Sequence, residues 1–125
     1  MDETKYKFKV EKNYLYIKFT EPESYESCIE EAEITRELIR KYNLKNVLSD
    51  DTEKESFVDV LDEFKLSNYY IQNEFYKDFG KIAVLVKKID YDKMKFWETA
   101  TRNRGLRVQI FTDMEKTKEW LEINY

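Results

Sequence analysis

The sequence predicts an α/β domain in which a mixed five-stranded sheet packs against four helices, in the chain order ββαβαβαβα. Apolar and polar residues alternate near the start of the chain, as in a hairpin with one buried face. The run 82–86 is apolar on both faces, which indicates a central strand that is covered on both sides. Between the strand-like runs, apolar residues recur with the period of an amphipathic helix. No linker or low-complexity tract interrupts the pattern, so one domain over residues 1–125 is expected.

The predicted hairpin covers residues 5–19 and turns at residues 11–13. Lysines alternate with Tyr6, Phe8 and Val10 on its first strand, so one face is apolar and the other is cationic. Lysines discourage pairing between exposed strand edges, and this predicts that the first strand lies at an edge of the sheet.

The remaining elements alternate between helix and strand. The first helix begins around Pro22, a residue suited to a first turn, and ends near Asn43, which tolerates the left-handed backbone of a helix end. The third helix ends at Gly105 for the same reason. The other predicted elements are a strand at 46–50, a helix capped by Ser56 and Asp59, a strand at 82–86, a strand at 106–110 and a last helix capped by Thr112 and Glu115.

Parallel strands that are joined by helices require right-handed crossovers. If the strands lie in the sheet in sequence order, this rule predicts that every helix lies on one side. The second face would then be only partly covered, and it is where we expect a second copy to bind in a homodimer.

The amino-acid composition excludes several classes of enzyme active site for this protein. The chain has no histidine and a single cysteine, Cys28, so it cannot form a Ser-His or Cys-His nucleophile pair or a His-ligated zinc site. We therefore expect a protein that is not an enzyme, with no catalytic residue, metal or cofactor. Cys28 lies on the apolar stripe of the first helix, which is typical of a small core residue.

The composition also indicates a soluble cytoplasmic protein. One cysteine cannot form an intramolecular disulfide, which suits a reducing compartment. No apolar run approaches the about 20 residues that span a bilayer, and the polar start has no signal-peptide core. A net charge of −4 does not favour nucleic-acid binding.

The element order, the central KIAVLV run and the ending FTDMEKTKEWL resemble the STAS-like (SpoIIAA-like) superfamily. Within it, the chain is similar to small single-domain bacterial proteins of unknown function that are often labelled STAS or CRAL-TRIO-like. Their usual ending is an aromatic residue, a polar capping pair and a helix that closes on Trp-Leu, and here these positions are Phe111, Thr112, Asp113, Trp120 and Leu121. The resemblance implies the fold and a regulatory or protein-interaction role without enzymatic activity.

In this superfamily, anti-sigma-factor antagonists carry a regulatory phosphoserine in an Asp-Ser-Ser-Gly motif after the third strand. The equivalent stretch here, LSDDTEKES at 48–56, lacks Ser-Ser-Gly. Ser56 is the candidate phosphoacceptor that remains, but a phosphate there would lie among carboxylates that repel it.

Polar side chains collect where the parallel strands are predicted to end, which is where open α/β sheets bind ligands. We call this set the rim and regard it as the candidate ligand or partner site. It consists of Ser49, Asp50, Asp51 and Thr52 after the third strand, Lys87 and Lys88 after the fourth, and Thr112 after the fifth.

Two interpretations of the acidic part of the rim remain open. Asp50 and Asp51, together with Glu53, offer the oxygen ligands that Mg²⁺ prefers, and this would support a Mg²⁺-dependent phospho-switch or enzyme. Alternatively, the segment is an acidic loop in which one carboxylate binds turn amides.

A ligand carrier is the main alternative to an interaction module. Eight Phe and ten Tyr are enough to line an apolar cavity between helices and sheet, in which a lipid-like ligand could be carried or sensed. Such a pocket would need a volume of a few hundred Å³.

Overall fold

A computed structural model of the chain describes residues 6–22, 24–54, 60–102 and 105–122, and only the backbone of residues 60–63. The candidate phosphoacceptor Ser56 and the cap predicted at Ser56 and Asp59 lie outside the described residues.

The described elements follow the predicted order, so the predicted fold class is confirmed. Four of the described helices are substantial and correspond to the four predicted ones. The structure also contains a one-turn helix and a 3₁₀ turn that were not predicted. The elements are β1 (Tyr6–Val10), β2 (Leu15–Phe19), α1 (Tyr25–Lys41), β3 (Val47–Asp50), α2 (Val60–Gln72), the one-turn α3 (Phe75–Asp78), β4 (Lys81–Leu85), the 3₁₀ turn Lys88–Asp90, α4 (Tyr91–Arg102), β5 (Arg107–Phe111) and α5 (Met114–Glu122).

The sheet is mixed, and its strands lie in sequence order from β1 to β5. β1 pairs with β2 in antiparallel orientation, and β2, β3, β4 and β5 run parallel to one another. β1 therefore lies at an edge, as the lysine pattern predicts.

The three helices that connect parallel strands pack on one face of the sheet. Leu66 of α2 and Met94 of α4 share an apolar core with Val84 of β4 and Val108 of β5. Ile39 of α1 extends this layer over the inward side chains of β2 and β3. The strand side chains in this layer come from every second position of each strand. The side chains at the positions between them therefore face the second side of the sheet.

α5 packs on that second side, where Leu121 joins Leu48, Ala83 and Leu85 in a separate core. The expectation that every helix lies on one side is therefore wrong for α5. The handedness rule constrains only helices that connect two parallel strands, and α5 follows the last strand.

α5 packs over β3, β4 and β5. The part of the second face that the hairpin strands β1 and β2 form is therefore left largely uncovered. On this open part, Lys7 of β1 lies opposite Lys18 of β2, and Lys9 lies opposite Tyr16. The cationic face predicted for the first strand thus continues onto β2.

The outer edge of β5 is bonded by side chains of α4. Glu98 is buried, and its Oε2 accepts a hydrogen bond from the backbone N–H of Ile110 at 2.7 Å. The Nε of Arg102 donates to the carbonyl oxygen of Val108. Backbone groups that a further strand would use are therefore already bonded within the domain.

The helix ends follow local capping chemistry. Ser24 caps α1 in a reciprocal box, and Asn43 has φ of 55° just past the end of that helix, as predicted. The cap predicted for the last helix is wrong by one residue. Asp113, not Thr112, accepts the backbone N–H of Glu115, at 2.8 Å.

Candidate functional site

Asp50, at the end of β3, is the centre of a buried hydrogen-bond network on the α5 side of the sheet. Its side chain accepts the hydroxyl of Tyr16 at 2.6 Å, and the hydroxyl and backbone N–H of Thr52 at 2.6 and 3.0 Å. Burial alone would raise the pKa of Asp50, but the hydrogen bonds from Thr52 and Tyr16 outweigh it and hold the pKa below its usual value. Burial and the bond to Asp50 raise the pKa of Tyr16. The carboxylate thus binds a turn amide, as in the second interpretation of the acidic loop.

Asp51 points to the opposite side of the sheet from Asp50. Its Oδ1 accepts the hydroxyl of Ser49 at 3.1 Å, and its backbone N–H donates to the carbonyl of Leu85 at 2.8 Å. Glu53, the third carboxylate of the loop, pairs with Lys18 at 2.7 Å. The three carboxylates do not converge, and no cluster of three acidic or thiol groups that could hold a metal ion occurs within the described part of the chain.

An ion pair closes the space between this loop and α1. Lys54 is only 3 % exposed, and its Nζ lies 2.5 Å from Oε1 of Glu31. The same ammonium group lies 5.7 Å from the ring centroid of Phe19. Sequence analysis missed Glu31 and Lys54, because a pair 23 residues apart, between a helix and a loop, leaves no local pattern.

A cavity of about 130 Å³ lies between the sheet and the helices that cover its first face. The end nearest the rim is lined by Glu31, Ser49, Asp51 and Lys54. The rest of the wall is largely apolar, and it includes Cys28, Ala32, Leu66, Val84, Trp97 and Val108. Two of the predicted rim residues, Ser49 and Asp51, thus belong to the polar end of a cavity.

The other rim residues face solvent. Lys87, Lys88 and Thr112 are exposed, and the Nζ of Lys87 lies 4.0 Å from a carboxylate oxygen of Asp90. Ile89 is the middle residue of the 3₁₀ turn, and 86 % of its surface is exposed. The structure therefore divides the predicted rim into three parts: the Asp50 network, the polar end of the cavity, and the exposed residues Lys87, Lys88 and Thr112. Ile89, which was not predicted, adjoins the two lysines.

The chain forms an α/β domain, and comparisons with solved structures show that it shares the SpoIIAA-like fold. The chain resembles an uncharacterised protein with a SpoIIAA-like fold from Shewanella loihica, with a TM-score of 0.58, 16 % identity and 93 % of both chains covered. It also resembles an anti-sigma factor antagonist from Mycobacterium paratuberculosis, with a TM-score of 0.62, 7 % identity, and 94 % of this chain and 93 % of that chain covered. Identities this low show a shared fold alone.

Comparisons at the sequence level find no counterpart: no protein-family model matches, and no curated protein matches. None of the helices in the described ranges is both long and apolar enough to cross a membrane.

Proposed function

We propose that this protein is a regulatory module without enzymatic activity that acts by binding a partner protein at Lys87–Ile89. The observation that supports this is the exposure of Ile89, at 86 %, beside two exposed lysines at the carboxyl ends of the strands. Burial of such an exposed aliphatic side chain against a partner removes apolar surface from water and thereby stabilises the complex. The fold is also that of an anti-sigma factor antagonist, a protein whose name describes action on another protein.

The charge of this surface indicates the chemistry of the partner. Lys87 and Lys88 directly precede Ile89, and Asp90 follows it, so the surface has one more positive than negative charge. A complementary surface would present an apolar pocket with acidic side chains on the side of the lysines. A second copy of the chain fits the uncovered sheet face less well. There, the exposed Lys7 and Lys9 of one copy would approach the lysines of the other in a symmetric contact. The partner that we propose is therefore a different, acidic protein.

Affinity capture from a lysate of the native cells tests this proposal. The baits are the wild-type protein, Ile89→Asp, and Tyr76→Asp as a matched control. Tyr76 is also exposed, at 46 %, but it lies in α3 before β4, at the opposite end of the sheet. We expect the same partner with the wild type and the control, and about tenfold weaker binding or more for Ile89→Asp when the purified pair is titrated. A partner bound equally by all three baits, or no specific partner, would contradict the proposal.

Sensing of a small apolar ligand is a second candidate function, and the cavity favours it. Its volume of about 130 Å³ is below the few hundred Å³ that a lipid-like ligand requires. The ligand would therefore be about the size of one aromatic ring. Organic extraction of protein purified from its native cells, followed by mass spectrometry, tests this candidate. A bound small molecule supports it, and an extract identical to that of a cavity-filled variant counts against it.

A further inference from the structure

We propose that the outer edge of β1 binds an extended segment of a partner protein in which acidic and apolar residues alternate, and that this segment adds a further strand to the sheet. The edge is separate from the surface at Lys87–Ile89. β1 is the terminal strand of the described sheet and pairs there with β2 alone. The opposite edge, at β5, is bonded by side chains of α4, so β1 is the edge that offers backbone groups to another chain.

The outward backbone groups of β1 belong to Phe8 and Val10. In an antiparallel pair, residues bonded to the partner strand alternate with residues whose N–H and C=O point away from it. Val10 lies opposite Leu15, and Leu15 donates its N–H towards β3, to the carbonyl of Asn46 at 2.9 Å. Val10 and Leu15 therefore do not bond to each other. The same alternation applies to Phe8, two residues earlier, which lies opposite Ile17. Groups arranged in this way are bonded by an occupant in extended conformation.

The face of β1 that lies on the α1 side of the sheet is apolar and partly exposed. Tyr6 packs there against the core under α1, but Phe8 and Val10 are 40 % and 42 % exposed. The ring of Tyr42, just past the end of α1, is also exposed and lies 6.1 Å from that of Phe8. These side chains form an apolar surface that reaches the edge of the sheet. An added strand would bury it with apolar side chains at every second position.

The other face of β1 is cationic, and it determines the residues at the positions between. Lys7 and Lys9 are exposed on this face. Lys9 lies 3.6 Å from Glu11, and exposed pairs of this kind contribute little to stability. Acidic side chains at the intervening positions of an added strand would lie beside Lys7 and Lys9 as favourable cross-strand pairs. The two faces of β1 together thus favour a segment in which acidic and apolar residues alternate.

A second copy of the chain fits this edge less well. In a symmetric antiparallel pairing of two β1 strands centred on Phe8, Lys7 of each copy would lie opposite Lys9 of the other. Like charges that are directly opposite destabilise a strand pair. The lysines therefore act against self-association, as they do on other natural edge strands, and they favour an acidic strand from a different protein.

Titration of the full chain with three synthetic peptides tests the proposal. Each has about nine residues, more than the five of β1. The first alternates Val with Glu, the second alternates Val with Lys, and the third contains the residues of the first in separate blocks of Val and Glu. Amide shifts in NMR spectra give each affinity, and hydrogen exchange at Phe8 and Val10 reports backbone pairing. We expect the first peptide to bind and to slow both amides, and the other two to bind at least about tenfold more weakly.

Two variants test the backbone and the charge separately. Val10→Pro removes an outward N–H that β2 does not use, so the fold should persist while the first peptide binds about tenfold more weakly or less well still. Val10→Thr keeps the N–H and the branched shape, and as the matched control it should bind nearly as the wild type does. The double variant Lys7→Glu/Lys9→Glu should prefer the second peptide to the first. Lys116→Glu/Lys118→Glu makes the same change of net charge at exposed positions of α5 and should keep the preference of the wild type.

Several results would overturn the proposal. Equal binding of the first and third peptides would show charge attraction without strand addition, and unchanged exchange at Phe8 and Val10 would show the same. Lack of binding by the first peptide would mean that the edge is closed to other chains. Slower exchange at these amides with rising protein concentration, without peptide, would identify a second copy as the occupant. If Val10→Pro fails to fold, the exchange data and the charge variant still decide. Ile89→Asp should bind the peptides as the wild type does, so failure here leaves the surface at Lys87–Ile89 untouched.

Discussion

Replacing Tyr16 with Phe removes the hydroxyl that donates to Asp50 at 2.6 Å and keeps the ring. The acceptor, Asp50, is only 4 % exposed, so water cannot readily take the place of the hydroxyl. A hydrogen bond to a charged group contributes about 1.5–3 kcal/mol to stability. Thr52 would still donate two bonds to the carboxylate, so the charge would not be left without partners. We therefore expect a loss at the lower end of that range, about 1.5–2 kcal/mol at neutral pH.

The loss should also depend on pH. The pKa of native Asp50 lies below its usual value of 3.8, because the bonds from Thr52 and Tyr16 outweigh the effect of burial. Asp50 therefore contributes stability that is present above this usual value and is lost as the pH falls through the native pKa. Removal of the Tyr16 hydroxyl raises the native pKa. The difference in unfolding free energy between wild type and Tyr16→Phe should thus be largest near neutral pH and shrink below about pH 4.

Urea unfolding followed by tryptophan fluorescence, at about pH 7 and about pH 3.5, measures both effects. Tyr14→Phe is the matched control, because Tyr14 is 5 % exposed on the same side of β2 and its hydroxyl makes no hydrogen bond to another described residue. The interpretation is wrong if Tyr16→Phe costs less than about 0.5 kcal/mol at neutral pH. It is also wrong if the two variants show the same pH dependence.

Three further substitutions test the packing and backbone conformation of the sheet away from the site. In Gly80→Ala, the added Cβ would lie 2.5 Å from Oδ1 of Asn46, and we expect a loss of about 1–3 kcal/mol, measured as a lower midpoint of thermal unfolding. Glu98→Ala leaves the buried N–H of Ile110 without its acceptor and should cost about 1–3 kcal/mol; the amide of Ile110 should exchange faster, and Glu98→Gln should restore most of its protection. Gly105→Ala meets no atom within 4 Å but must adopt φ of +97°, so we expect a loss of about 1 kcal/mol in urea unfolding; an unchanged stability would show that the backbone relaxes there.

Much of the fold can be predicted from the sequence because its signals are local. The two-sided apolar run at 82–86 predicts the covered strand β4, and alternation with lysines predicts β1 at the edge. The cap of α5 could not be placed to the residue, since Thr112 and Asp113 are both good capping residues at adjacent positions. The side on which α5 packs depends on which apolar strand positions remain uncovered, and that is a property of the whole sheet.

The site was less predictable, because it depends on contacts between distant segments. Asp50 and Asp51 are adjacent in the chain, yet the alternation of a strand sends them to opposite sides. This alternation could have been applied to the rim from the sequence. The pair between Glu31 and Lys54 could not have been found in this way, because no periodicity connects a helix position to a loop 23 residues later. The volume of the cavity likewise cannot be predicted from the sequence, since it depends on how closely several elements approach one another.

The bonds from α4 to the outer edge of β5 also affect how the protein can aggregate. Addition of a strand at β5 would first have to break the bonds that Glu98 and Arg102 make to the backbone. In the described sheet, this leaves β1 as the edge at which another chain can pair. A sheet with one such edge can join two copies but cannot extend at both ends into a cross-β fibril. Loss of these two α4 side chains would thus be expected to change not only stability but also the size that aggregates can reach.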